Sequence, residues 1–360
     1  MHFSKLTAAL ALTGLSAASP LESRASEKGL QQAWTCLKGR DYIGTALTIR
    51  DDAAEQNIIK SPVDFNSVTP ENAMKWESTE PTRNNFTFAG ADAIVDFAQK
   101  YKKQIRCHTL VWHSQLPAWV SNGGFDNATL ISIMENHIKN VAGRYKGKCT
   151  HWDVVNEALN EDGTYRESVW YNTIGEAYLP IAFRLAHKYD NKAKLYYNDY
   201  NIEYSGAKAL GAQRILKLVK AYGAKIDGVG LQAHLTSEPT SSSGGGVTPD
   251  VATLERSLRL YSDLGADVAY TELDIRMTTP ANATKLQAQA DAYSRVTQAC
   301  LNVKKCVGIT LWGVSDKYSW IPGVFSTEGA ALAWDENYQK KPAYYAMLNT
   351  IKAYAKNGGK

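Results

Sequence analysis

Eight short apolar runs, each followed by a segment with helical spacing, within a chain of even composition, predict a single-domain α/β fold: the (β/α)8 TIM barrel. The runs are 42–49, 67–76, 104–112, 151–159, 194–202, 228–235, 268–275 and 307–314. Between them, "AGADAIVDFAQKY", "TLISIMENHIKNVAGRY", "YLPIAFRLAHKY", "GAQRILKLVKAYG" and "TLERSLRLYSDLG" repeat apolar residues every three or four positions. An open doubly wound sheet is the alternative. It usually needs fewer strands and a glycine-rich phosphate loop after the first, and none is found.

The 360 residues are 44% hydrophobic, enough for one large core. Charged residues make up 21% and the net charge is +4, spread too evenly to favour nucleic acid or an anionic membrane as partner. Residues 1–18 pair one lysine with a short apolar stretch and then small residues, as a secretory signal peptide does, so export is expected. Residues 19–29 read as a short N-terminal segment or propeptide, 30–353 as the barrel domain and 354–360 as a tail, with no further module expected. Asn85, Asn127 and Asn282 head Asn-x-Thr sequons. "TSSSGGGVTPD" after the sixth run reads as a mobile surface loop.

Five cysteines leave at least one without an intrachain partner. The short loop between Cys300 and Cys306 makes them the expected disulfide. Cys107 lies in an apolar strand pattern and reads as a buried thiol. The pairing of Cys36 and Cys149 stays open.

Barrel chemistry is built at the carboxyl ends of strands, where the polar residues of these runs collect. The second run carries Glu71, Asn72 and Lys75; the third His108 and Trp112, with Gln115 just beyond; the fourth Asn156 and Glu157. The sixth carries Gln232 and His234, the seventh Glu272 and Asp274, the eighth Trp312, and the next loop Trp320. Period-two alternation places His108 with Trp112, Gln232 with His234, and Glu272 with Asp274 on common faces. His113 should face away from His108, so no metal site and no cofactor are expected.

Glu157 and Glu272 select the reaction. Glycoside cleavage uses one carboxylic acid to protonate the leaving oxygen and a carboxylate on the other side of the sugar. A separation of about 5–5.5 Å permits direct attack and retention, whereas about 6.5–9.5 Å admits water and inverts. Glu157, after an apolar run and near tryptophans, suits the acid; His234, and with it Gln232, would keep Glu272 ionised, with Asp274 orienting His234. A lone glutamate at a strand end is commonly structural. Carboxylates, amides, a lysine and tryptophans at one end of successive strands compose a sugar cleft.

The stretches "TPENAMKW", "HTLVWHSQLPAW", "WDVVNEAL", "NDYN", "GVGLQAHL", "TELDI" and "ITLWGVSDKYSW" resemble, in the same order, the glycoside hydrolase family 10 endo-β-1,4-xylanases of secreted fungal type. The resemblance implies retaining double displacement on xylan and xylo-oligosaccharides, by a monomer without cofactor. It implies Glu157 as acid/base, Glu272 as nucleophile and Asn156 as ligand of the sugar 2-hydroxyl. Lys75, His108, Gln232, His234, Trp312 and Trp320 would line the sugar site next to the scissile bond. Glu71, Asn72 and Gln115 would bind the next sugar, with Trp112 in the same wall. Relatives also commonly carry a disulfide where Cys300 and Cys306 stand. The competing readings are a barrel glycosidase acting on cellulose or mixed-linkage glucan, and a noncatalytic lectin or inhibitor on the same barrel.

Overall fold

A computed structural model describes residues 28–244 and 246–358. The leader at 1–18 and residues 19–27 lie outside them. Eight parallel strands close into a barrel: β1 (Tyr42–Leu47), β2 (Ser67–Pro70), β3 (Gln104–Val111), β4 (His151–Asn156), β5 (Lys194–Asp199), β6 (Gly228–Leu231), β7 (Asp267–Thr278) and β8 (Cys306–Leu311). Each pairs with the next, and β8 returns to β1 with Ile309 opposite Ile43. Short runs of buried, β-branched and aromatic residues make these strands, because both faces are covered, the outer one by helices.

The helices lie where the apolar spacing places them. Asn127–Arg144 buries Leu130, Ile133, Met134, Ile138 and Val141 on one stripe, and Asp126 caps it by accepting from the Thr129 N–H at 2.8 Å. Ala89–Lys100, Tyr178–Tyr189, Ala207–Ala221 and Val251–Ser262 match the other four patterns. The long helices Ala283–Asn302 and Pro342–Lys356 complete the ring and pack on each other. None of the helices among the described residues is long and apolar enough to cross a membrane.

Several strands end earlier than their apolar runs. β2 stops at Pro70, so Glu71 to Lys75 lie in a turn; β4 stops at Asn156; β6 breaks at Gln232–Ala233 and resumes as His234–Thr236, paired with β7. In each case the residue that follows the strand, Glu71, Glu157 or Gln232, lines the barrel mouth. The outcome is a rim of side chains aimed across the barrel mouth instead of along its wall.

Cys300 and Cys306 are bonded, with Cα atoms 5.2 Å apart. Cys107 corrects its thiol reading: it is buried, but bonded to Cys149 across a Cα separation of 5.8 Å. Its partner sits two residues before β4, the strand paired with β3, so the contact comes from sheet topology and not from either local pattern. Cys36 is the free, exposed cysteine. Ser242 donates from its backbone N–H and hydroxyl to Glu328, at 3.1 and 2.8 Å, and Glu328 pairs with Arg276 of β7 at 2.7 Å. Ser242 is thereby held at the barrel mouth. All three sequon asparagines, Asn85, Asn127 and Asn282, are exposed.

Candidate active site

The carboxyl ends of the strands surround a cleft of about 600 Å³. Glu71, Asn72, Lys75, His108, Trp112, Gln115, Asn156, Glu157, Gln232, His234, Glu272, Trp312 and Trp320 all line it, from six strands and their loops. Asp274 is buried behind His234 and does not line the cleft. His113 lines a different, small pocket with Val155 and Trp170, away from His108.

Glu157 follows β4 in the left-handed backbone region, with φ of 55°. Its Oε2 accepts from the Trp112 indole N–H at 2.9 Å, and its Oε1 from Gln232 at 3.0 Å and Asn156 at 3.3 Å. The side chain is half-buried, and its tryptophan neighbour presents a donor as well as an apolar ring.

Glu272 is more deeply set. Its Oε1 accepts from Asn198 at 2.8 Å, and its Oε2 stands 3.3 Å from His234 Nε2. Burial works against its charge, but His234 and His108 outweigh burial and hold the carboxyl below the ordinary glutamate range. His234 Nδ1 stands 3.0 Å from Asp274 Oδ2, which also accepts from the Trp320 indole at 2.8 Å. Burial disfavours charge on His234 as well; Asp274 first and Glu272 second overcome it and raise the imidazole to about 10. A cation flanked by two carboxylates is thus fixed beside Glu272 across the neutral range.

An amide chain connects the two glutamates. Gln232 Nε2 donates to Glu157 Oε1 and to Asn156 Oδ1, at 3.0 and 3.2 Å; Asn198 Nδ2 donates to Asn156 Oδ1 and Glu272 Oε1, at 2.9 and 2.8 Å. Gln232 therefore serves Glu157, and the amide on Glu272 is Asn198, a residue to which the sequence assigned no role. Its signal was present in "NDYN" at the end of the fifth run. Gly230 of β6 makes room for it, since a Cβ there would stand 2.3 Å from Asn198 Oδ1.

Farther along the cleft, Lys75 Nζ donates to Asn72 at 2.9 Å and Gln115 at 2.7 Å and lies 5.1 Å over the Trp112 ring. Burial lowers its pKa against the pull of Glu272, Glu71 and Glu157. Glu71 accepts from Thr48 at 2.6 Å and Arg50 at 3.1 Å. On the opposite side stand Tyr200, Asn201, Ser242, Arg276, Val324 and Phe325. Sequence reading missed these because Arg276 lies on β7 past Asp274 and the others sit beyond the strand ends, where the path of the chain depends on the whole barrel.

The His234 shift fixes a pH dependence. A histidine raised to about 10 when folded, against an ordinary value of about 6.5, contributes stability that is complete below pH about 6.5 and lost as pH rises toward 10. Urea unfolding at pH 6, 8 and 10 should show the native protein losing stability relative to His234→Gln over that span. Parallel behaviour of the two proteins would contradict the cationic assignment.

The geometry offers one carboxylate held ionised, a second whose oxygens accept from neutral N–H donors, and a wall of indoles, hydroxyls and amides suited to pyranose rings. The family model for glycosyl hydrolase family 10 matches residues 32–350. Endo-1,4-beta-xylanase 2 of Aureobasidium pullulans is 74% identical over 362 residues, covering 99% of this chain and 100% of that protein. Endo-1,4-beta-xylanase 1 of Gibberella zeae is 58% identical over 335 residues, covering 92% and 93%. The crystal structure of a GH10 xylanase from Bispora sp. MEY-1 with xylobiose superposes with a TM-score of 0.84 at 38% identity, covering 89% of this chain and 99% of the other.

Proposed function

The chain belongs to glycosyl hydrolase family 10, and from that membership we propose that it hydrolyses internal β-1,4 linkages of xylan with retention, Glu157 acting as acid and base and Glu272 as nucleophile. The observation that carries the residue assignment is the unlike setting of two carboxylates in one cleft: Glu272 beside the His234 cation, Glu157 among neutral N–H donors.

In the first step Glu272 attacks the anomeric carbon while Glu157 gives its proton to the glycosidic oxygen, and the aglycone leaves as an alcohol. The sugar is then esterified to Glu272. Its negative charge is gone, and Glu157, now ionised, takes a proton from water, which displaces Glu272 from the opposite direction. Two inversions give retention. In this reading Asn156 binds the 2-hydroxyl of the reacting sugar, a role supported by its bonds from Gln232 and Asn198, which reach the two carboxylates. Trp312 and Trp320 close the wall around that ring, and Glu71, Asn72 and Gln115 receive the next sugar.

Export belongs to the same reading, since polymeric xylan must be met outside the cell, and the cleft is complete within one chain.

Glu157→Ala tests the roles. Its hydrolysis of xylan should fall on the order of 10²–10⁴-fold, the contribution of a positioned acid and base. A dinitrophenyl β-xylobioside, whose leaving group needs no proton, should still load Glu272, and azide should speed turnover to a β-xylosyl azide. An α-azide, or first-formed α-anomer in proton NMR of the native reaction, would sink the retaining assignment.

A further inference from the structure

The left-handed conformation of Glu157 is unfavourable for a residue with a Cβ and has to be maintained by its surroundings. Three bonds hold it. The Glu157 N–H donates to Asn198 O at 2.9 Å, the Ala158 N–H donates to the Tyr197 hydroxyl at 3.1 Å, and the Glu157 carbonyl accepts from Arg166 Nε at 3.1 Å. The last two lead to one carboxylate. The Tyr197 hydroxyl donates to Asp199 Oδ2, and Arg166 donates to the Tyr200 hydroxyl at 3.0 Å, while the Tyr200 N–H donates to Asp199 Oδ1 at 2.9 Å.

Asp199 is fully buried and lines no part of the cleft. Lys208, itself buried, stands 3.3 Å from Asp199 Oδ1 and 3.3 Å from the centre of the Tyr200 ring. A buried carboxylate is costly, and the mechanism above gives this one no task.

We propose that Asp199 is a positioning residue for Glu157: through Tyr197 and Tyr200 it fixes the backbone turn that aims the Glu157 carboxyl at the leaving-group oxygen. The proposal rests on Glu157 being the acid. Its acceptor role explains why the strand end reads Tyr-Asn-Asp-Tyr: Asn198 faces the nucleophile, while Tyr197, Asp199 and Tyr200 brace the acid. Burial, offset in part by Lys208, raises the Asp199 carboxyl to about 7.

The test compares kcat/KM for 2,4-dinitrophenyl β-xylobioside, which needs no acid, with that for xylan and for an aryl xylobioside with a poor leaving group. Asp199→Asn and Tyr197→Phe should each lower the acid-dependent substrates on the order of 10- to 100-fold, part of what a positioned acid supplies. The dinitrophenyl substrate should change less than about twofold on the same reasoning. Tyr197→Phe removes only the hydroxyl relay and decides the matter should Asp199→Asn not fold. Equal losses on both substrate types, or no loss on either, overturn the proposal. Glu157→Ala run alongside separates the two claims. If it too is insensitive to the leaving group, the acid assignment falls and takes the proposal with it; if it responds normally while both other variants do not, the proposal alone falls.

Discussion

Replacing Glu272 with alanine is expected to lower xylan hydrolysis on the order of 10⁴–10⁶-fold, the range seen when a nucleophile is removed from a catalytic unit. The reason is local. Without the carboxylate no covalent intermediate forms, and the space it leaves lies next to the His234 cation. That space suits a small anion. Azide should enter it and attack the same face, giving an α-xylosyl azide, the opposite anomer from that expected with Glu157→Ala. A mechanism-based 2-fluoro xylobioside should label Glu272 of the native protein, read by peptide mass spectrometry. Substantial xylan turnover by Glu272→Ala, or label on another carboxylate, would remove Glu272 from its role.

The second large effect is on stability. Arg106 and Asp153 form a doubly hydrogen-bonded pair inside the barrel, both fully buried, and His108 Nδ1 stands 3.0 Å from Asp153 Oδ2. Arg106 and His108 hold the Asp153 carboxyl below its ordinary range against the opposing effect of burial. Asp153→Ala strands a buried guanidinium and frees His108, which lines the cleft. A loss of about 3–5 kcal/mol is expected, measured by urea unfolding. Replacing both members with apolar residues, as in Arg106→Met with Asp153→Leu, should recover much of that loss, because the penalty comes from the unpaired charge. Equal stability of the single and double variants would refute this account. The pair also sets a sign with pH: a depressed carboxylate contributes stability above its unfolded value of about 4 and gives it up as pH falls further.

Much of the barrel was legible because its strands are short apolar runs with both faces buried, and such runs are visible without neighbours. The cleft residues were legible for a related reason. Polar side chains such as Asn156 and Gln232 interrupt those runs where the strands end, and the barrel gathers all such ends at one mouth. What stayed hidden depends on pairs distant in sequence. Cys149 reaches Cys107 only because β3 and β4 are adjacent, and Gln232 turns toward Glu157 because β6 breaks beside it, leaving Asn198 to serve Glu272. Alternation also has limits: β3 and β4 shift register between His108 and Val111, so counting by twos does not carry from one end of the strand to the other. The contacts of Ser242 were hidden for the same reason, since Glu328 and Arg276, which bond it, lie in other parts of the chain.

Closure of the barrel has a consequence during synthesis. Tyr42–Leu47 is a wholly buried strand, yet one of its edges is completed only by β8, through the pairs Tyr42 with Gly308 and Ile43 with Ile309. At about 5–20 residues per second, the ribosome takes roughly 13–53 s to travel from residue 42 to residue 308. For that time the nascent chain carries an apolar strand with unpaired N–H and C=O groups along one side, a template for pairing with a neighbouring chain. Premature termination between Glu272 and Cys306 leaves that edge open permanently, so such truncated chains should be drawn into aggregates even though every residue of the cleft as far as Glu272 has been made.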